Sequence, residues 1–444
     1  MGSIHLADLV NDNLDTPTRI GAVRVEGATH TRESFLASLI QSRIPPPDQT
    51  STLGTVLRTT RDISHLLHRT DIFQTVNVQL ERSREALAAP NDVDVIFTTK
   101  ERGKYFLKTS TEVGNNEGNA SATARVRNVF GGAETFEANA SVGTKTRRSI
   151  QASLSAPVTS TLRTRGDLSI FALDRDYTTY ASCTEAVRGV KAGLKHGEIW
   201  SGQHELAYEA VLRHIGSLLP SASVSIRESA GQTIKSSITH SWTQDTRSGP
   251  SLSIAPGHYT KLFHELAGIG GDAHYYKAEA ESKITTVIAK GMWLSCSARA
   301  GGLYNLSPTG QSLFSDRFQL GGPLSLRMFR ANGMGPRDGV DSLGGDYYWA
   351  AGLSLISNLP PKPHWPLKAH FFLNAGQLQG SQPGISLRDT LATCVSKPSI
   401  SAGVGLIYLF DPIRVELNFG VPLVASKSDG LRKGIQVGMG LEFL

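Results

Sequence analysis

No apolar run in the 444 residues approaches the ~18 that a membrane-crossing helix needs, so no helix of this chain spans a bilayer. Cysteine is scarce. Cys183, Cys296 and Cys394 form an odd, scattered set that supports neither a disulfide framework nor a zinc site, and they read as small fillers on strands. The stretch Met1 to Asp15 lacks the basic n-region and the apolar h-region of a secretory signal, and Leu6 stands where a myristoylation signal wants Ser or Thr. The formal charge is +6, but Lys and Arg form no block and no stripe interleaved with aromatics, so nucleic acid is not an expected partner. There is no phosphate loop, no Gly-x-Ser-x-Gly and no paired His-Glu motif, and the histidines from His196 to His274 keep no metal-ligand spacing. The chain is therefore not expected to be an enzyme, nor to hold a metal or a cofactor.

Alternation is what the chain has in abundance. From Lys104 onward about sixteen segments of roughly 8–12 residues switch between apolar and polar, separated by turns. In the clearest, Val415, Leu417, Phe419 and Val421 oppose Arg414, Glu416, Asn418 and Gly420. The final segment does the same, with Ile435, Val437, Met439, Leu441 and Phe443 against Gln436, Gly438 and Gly440. A soluble sandwich also alternates. These strands are too many for one sandwich, keep no propeller period, and match the length a tilted strand needs to cross a membrane. Charged residues such as Lys108, Arg414 and Glu416 fall on the polar phase, as a wet lumen permits. In lipid, every backbone group must be paired, which without helices only a closed barrel achieves. Tyr275, Tyr276, Tyr304, Tyr347, Tyr348 and Trp349 lie near strand ends and are expected at the membrane interfaces.

Ahead of this array, residues 18–102 read as a small α+β unit behind a flexible segment, 1–17. Arg19–Val25 alternates. Thr31–Ile40 and residues 52–69 keep helical spacing on either side of Pro45–Pro46–Pro47. Val76, Val78 and Leu80, then Val93, Val95 and Phe97, alternate again. The order is strand, helix, helix, strand, strand.

Between the alternating segments Trp293–Leu303 and Tyr347–Ile356 lies a loop, 304–345, too long for a hairpin and too rich in Gly and Pro for a helix. Within it, Arg327 sits among Leu326, Met328 and Phe329, with Gly321, Gly322 and Pro323 before it and Gly333, Gly335 and Pro336 after. An arginine on an apolar tip flanked by turn residues is expected to pack into something. Gly321–Gly322–Pro323, Arg327, Phe329, the G-x-GPR phrase and Leu343–Gly344–Gly345–Asp346–Tyr347 together resemble the sixth outer loop of the barrel-assembly insertase superfamily. The likeness is strongest to its mitochondrial branch, the core barrels of the sorting and assembly machinery of the outer membrane. Phe130–Glu134 and His204–Arg213 carry the resemblance more weakly. The N-terminal order, with Asp71–Ile72–Phe73 before a strand, resembles a single polypeptide-transport-associated (POTRA) domain.

The resemblance implies a mostly β fold: a 16-stranded antiparallel transmembrane β-barrel over residues 103–444, with the long loop folded inward and one POTRA domain in the intermembrane space. It implies an insertase for unfolded β-barrel precursors, working in the lipid bilayer with peripheral helper subunits on the cytosolic face. The family has a glycine where Met328 stands. It also pairs the arginine with an aspartate where this chain has Asn374, so a neutral amide is expected to anchor the loop. Gln436, Gly438, Leu441 and Phe443 fit the signal that mitochondrial barrels carry on their last strand. The expected gate lies between that strand and the first one, through Phe106, Leu107, Lys108, Thr109, Ser110 and Thr111, where Gly438 and Gly440 give a weak edge. A passive outer-membrane channel and a polypeptide translocase of the same superfamily are the alternatives.

Overall fold

Side chains of a strand point alternately to its two faces, so a long alternating segment buries one face and leaves the other exposed. The computed structural model describes residues 8, 10–45, 51–84, 89–114, 117–249, 254–307, 311–359, 365–381, 386–410 and 413–440. The chain divides into two compact units, one of residues 1–108, 124–138 and 153–167, the other of 109–123, 139–152 and 168–444.

The first unit contains β1 (Arg19–Glu26), α1 (Glu33–Gln41), α2 (Leu53–Arg69), β2 (Phe73–Arg82) and β3 (Asp92–Glu101). The sheet order is β1-β3-β2, with β3 parallel to β1 and antiparallel to β2. Thr52 caps α2 by accepting from the Thr55 N–H, which satisfies one of the free donors of the first turn. Leu36 and Ile40 of α1 and Ile63 and Leu67 of α2 pack on Phe73, Val95 and Phe97. Ala133, far along the chain, joins the same core. The turn that carries it is built tightly: Asn128, Gly131 and Ala133 all have positive φ. It is bound to the start of α1. The Arg32 N–H donates to Gly131 O at 2.8 Å, Arg32 Nη2 to Glu134 Oε1 at 2.8 Å, and Asn128 Nδ2 to Thr31 Oγ1 at 3.0 Å. A Cβ on Gly131 would stand 2.8 Å from Arg32 Cγ.

The remaining long strands form one antiparallel sheet of sixteen. They are β4 (Tyr105–Gly114), β5 (Glu117–Arg127), β6 (Thr135–Gly143), β7 (Thr146–Pro157), β8 (Thr164–Asp176), β9 (Thr184–Glu198), β10 (Gly202–Gly216), β11 (Gly231–Asp245), β12 (Gly257–Gly271), β13 (Tyr275–Ala289) and β14 (Met292–Asn305). After a hairpin of two short strands, β15 (Arg337–Asp338) and β16 (Asp341–Ser342), come β17 (Tyr347–Asn358), β18 (Leu367–Gln379), β19 (Ser399–Phe410), β20 (Ile413–Val424) and β21 (Gly434–Gly440). Each long strand pairs with its neighbours in sequence, and β14 pairs with β17 across the long loop. β4 and β21 end the order, and among the described residues no ladder joins them.

From β10 onward the two faces differ sharply. One is bare and apolar: Leu206, Ile238, Leu266, Leu353, Phe371, Phe419 and Val437 are all exposed on it. The other carries charge, paired across strands as Lys191–Glu205 at 2.7 Å, Lys235–Glu265 at 2.8 Å and Glu281–Arg299 at 2.7 Å, and it carries the long loop. His204, His240 and His264 stack across β10 to β12 with ring centroids 5.5 and 6.2 Å apart, a juxtaposition made by register and invisible in linear spacing.

Three expectations need correction. Tyr275 and Tyr348 are buried on the loop side, in a core with Phe318 and Leu326, while Tyr276 and Tyr304 are exposed; the six terminal aromatics do not form one set. Cys183 precedes β9 and Cys394 lies on a helix, so only Cys296 sits on a strand. Among the described residues past 104 there are also two α-helices, α3 (Val224–Glu228) and α4 (Leu387–Ser396). Ser223 and Ser386 cap them by accepting from the N–H groups of Ile226 and Asp389.

Replacing Gly131 by Ala forces a side chain into a left-handed backbone position against Arg32. We expect Gly131→Ala to cost about 1–3 kcal/mol and to open the Arg32–Glu134 contact. Limited proteolysis around residues 30–34 checks this, and wild-type resistance would contradict the packing described.

Candidate functional site

The long loop departs from β14 after Asn305, returns at Tyr347, and is fastened at Asp316, at its tip and at Asp341, among other places. The first fastening is Asp316. Arg213 donates to both its oxygens at 2.6 and 3.2 Å, Tyr275 Oη donates to Oδ1 at 3.0 Å, and Lys277 Nζ donates to its carbonyl at 2.9 Å. The second is the tip. Gly321 and Gly322 adopt φ of 106° and 114°, reversing the chain so that Gly322 N donates to Leu326 O at 3.1 Å, with Pro323 buried at the bend. Leu326, Arg327, Met328 and Phe329 are all fully buried.

At the tip, Arg327 meets a carboxylate that sequence reading did not select. Nε donates to Glu416 Oε2 at 2.8 Å and Nη2 to Oε1 at 3.0 Å, the parallel fork that suits a guanidinium. Nη1 donates to Asn374 Oδ1 at 3.3 Å, and the guanidinium stands 5.3 Å from the centre of the Phe372 ring. The expected contact of Arg327 with the neutral amide of Asn374 is present, and Glu416 on β20 adds an ion pair beside it. Around Glu416 the network continues. Asn418 Nδ2 donates to Oε2 at 2.8 Å, Arg414 pairs with Oε1, and His370 Nε2 donates to Asn418 Oδ1 at 2.7 Å. Removing two charges from water costs several kcal/mol per ion, and such a pair survives only when its remaining lone pairs are bonded as these are.

Met328 has a positive φ of 68°, the left-handed region that glycine adopts most easily. A side chain there is strained by roughly 1–2 kcal/mol. Its Sδ lies beside Gly420 of β20, 3.1 Å from where a Cβ on that glycine would stand.

The tip is also read through its main chain. Gln436 Oε1 accepts from Met328 N–H at 3.0 Å, and Gln436 Nε2 donates to Phe329 O at 2.9 Å. Arg330 N donates to Gly430 O at 2.8 Å and Arg432 N to Met328 O at 3.0 Å. Two of the residues singled out in the sequence for different reasons, Arg327 in the loop and Gln436 in the last strand, thus share one lock. Gly438 lies on the same buried phase of β21; Leu441 and Phe443 lie outside the described residues. At the opposite end of the sheet order, Phe106, Leu107, Lys108, Thr109, Ser110 and Thr111 all fall on β4. Leu107 is exposed, the guanidinium of Arg127 lies 5.4 Å from the Phe106 ring, and Ser110 Oγ is 2.8 Å from Ser121 Oγ.

The third fastening is Asp341. Its Oδ1 accepts from Ser182 N at 2.8 Å and Oγ at 2.7 Å, and Oδ2 accepts from Ser223 N at 2.8 Å, so one carboxylate ties the loop to the two connections flanking β9 and β10. Burial works against its charge, but the hydrogen bonds from Ser223 and Ser182 outweigh this and hold its pKa below the ordinary 3.8. Of the residues missed in the sequence, Glu416 had a signal: an acidic residue on the polar phase of a strand between Arg414 and Asn418. Arg213 had only its place at the end of the His204–Arg213 stretch, and Asp316 and Asp341 had none.

A family model described as the Omp85 superfamily domain matches residues 128–443. A SAM50-like protein of Schizosaccharomyces pombe is 34% identical over 448 residues, covering 99% of this chain and 94% of its own. The sorting and assembly machinery component 50 homologue of Homo sapiens is 33% identical over 401 residues, covering 88% of this chain and 83% of its own. Among solved structures, BamA from Haemophilus ducreyi lacking POTRA domains 1–3 superposes with a TM-score of 0.76 at 16% identity, over 95% of this chain and 84% of that one.

Removing either partner of the buried pair strands the other's charge. Arg327→Ala and Glu416→Ala are each expected to cost about 3–5 kcal/mol, and the double variant less than their sum, as read from denaturant unfolding in detergent. Additive losses would mean that the two side chains do not act as a pair. The Asp341 fastening follows the rule for a depressed carboxyl: its contribution is fully present above the unfolded pKa and is lost as pH falls through the lower folded value. Hydrogen exchange at Ser182 and Ser223 is therefore expected to speed up below about pH 4 relative to intrinsic rates, and Asp341→Asn to abolish that dependence.

Proposed function

The chain belongs to the Omp85 superfamily and, within it, to the sorting and assembly machinery component 50 homologues, and from that premise we propose that it folds and inserts β-barrel precursors into the mitochondrial outer membrane. The bare apolar face is then the lipid-facing wall, and the charged, loop-bearing face lines a wet interior. One observation carries the mechanism. β4 and β21 end the sheet without a ladder between them among the described residues, while the loop tip grips β21 through Gln436.

An unpaired strand edge presents N–H and C=O groups that any extended chain can bond. We infer that a precursor's terminal strand pairs with the β4 edge along Phe106–Thr111. Further strands add behind it until the new barrel closes and leaves. No covalent bond is made or broken, and no cofactor is required. The gain comes from the precursor pairing its backbone and burying its apolar face in lipid. The Gln436 amide bonds a main-chain donor and acceptor of the loop, so a precursor strand presenting an amide at the same place satisfies the same two groups. The lock on Glu416 meanwhile keeps the tip in position. Under this reading the β1-α1-α2-β2-β3 unit is a POTRA domain in the intermembrane space, its open sheet edges are available to an extended client, and helper subunits work from the cytosolic side.

Cysteines at Thr109 or Thr111 are expected to crosslink to the last strand of a precursor arrested during insertion into vesicles. A row of covalent bonds joining β4 to β21 is expected to stop insertion. Unchanged insertion with that seam sealed would refute the gate, and unaltered ion conductance without any assembly defect would favour a passive channel.

A further inference from the structure

The helix α4 lies against the bare face of the sheet. Tyr347 and Trp349 on β17 share their phase with the exposed Leu353, and Gln377 on β18 shares its phase with the exposed Phe371 and Leu373. Tyr347 and Gln377 are nevertheless buried, at 8% exposure each. The helix covers them: Trp349 Nε1 donates to Cys394 O at 2.9 Å, and Cys394 Sγ donates to Tyr347 O at 3.9 Å. Thr390 and Cys394 face the sheet and are buried. Beside them, at i, i+4 and i+8, Leu387, Leu391 and Val395 are exposed at 45%, 44% and 66%. The apolar sector of α4 is thus wider than the sheet covers. Arg388, on the helix, and Lys397, the residue that follows it, are both exposed.

We propose that α4 is an in-plane membrane anchor, with Leu387, Leu391 and Val395 entering the headgroup boundary of the leaflet and Arg388 and Lys397 set against lipid phosphates. This rests on the reading of the bare face as the lipid-facing wall. Two observations favour lipid over protein as the occupant. The stripe continues the same apolar face that Leu353, Phe371 and Leu373 form, at the end of the strands where a wall leaves the hydrocarbon. Basic residues beside an apolar stripe complement the phosphate layer, which is the composition of helices that lie in an interface. The consequence is a clamp: α4 fixes the connection between β18 and β19 to the leaflet, next to the strands that carry Asn374 and the Ser401 hydroxyl bonded to Arg327 O.

The test uses the full chain in phosphatidylcholine vesicles containing phosphatidylserine, with exposed Cys296 replaced by Ser and an environment-sensitive fluorophore on one introduced cysteine. Leu391→Cys reports the stripe, Ala392→Cys the polar side of the same helix, and Phe371→Cys the sheet wall. The expected result is a blue shift at 391 and loss of emission to lipid carrying a headgroup-proximal doxyl quencher, with neither at 392 and with quenching by deeper doxyl at 371. Quenching at 371 without quenching at 391 overturns the anchor and leaves the membrane wall standing. Quenching at neither overturns both. A label at 391 shielded from lipid quencher and from aqueous iodide alike places protein on the stripe and also overturns the proposal.

Discussion

A guanidinium that has left water has to find its acceptors inside the fold, and the arrangement of the long loop follows from where Arg327 finds them. Its fork closes on Glu416 of β20, and a third donor reaches Asn374 of β18. The two acceptors stand on different strands of one sheet, so the pair fixes the loop tip in two directions along the wall. Asp316 and Asp341 secure the limbs on either side, each by several hydrogen bonds to separate strands or connections. A segment rich in Gly and Pro, with little regular structure of its own among the described residues, is thereby bound to the strands beneath it.

The same loop joins two features that differ in chemistry. The arginine lock is ionic, buried and expensive to break. The grip of Gln436 on the tip consists of two neutral hydrogen bonds to main chain, each worth roughly 0.5–1.5 kcal/mol and replaceable by another amide. The tip is thus bound strongly to β20 and more weakly to β21, the strand at the end of the sheet order.

The sheet divides its labour by face. Alternation puts charge and loop on one side and leaves the other apolar, so the polar groups are either paired or wet and the apolar ones meet a solvent of their own kind. Where the bare face is covered, at Tyr347, Trp349 and Gln377, the cover is a helix with an unburied apolar stripe, and the surface exposed to lipid moves outward onto it.

Much of this was legible in order along the chain. Period-two alternation announced the strands because a strand's side-chain period is two. Helical spacing marked α1 and α2, and the glycines, the proline and the arginine of the tip marked a loop that had to be packed. The helix α4 could have been found from Ser386 and Asp389 followed by Leu387, Leu391 and Val395 at helical spacing, but a short apolar run amid strands reads as another strand. What no linear pattern held was partnership. That Arg327 meets Glu416, that Gln436 holds the tip, and that Asp341 reaches Ser182 and Ser223 depend on sheet register and on how the loop crosses the wall, which bring together residues separated by 89, 108, 159 and 118 positions. Local alternation decides which side of a strand a residue faces; only the closure of long-range pairings decides what it faces there.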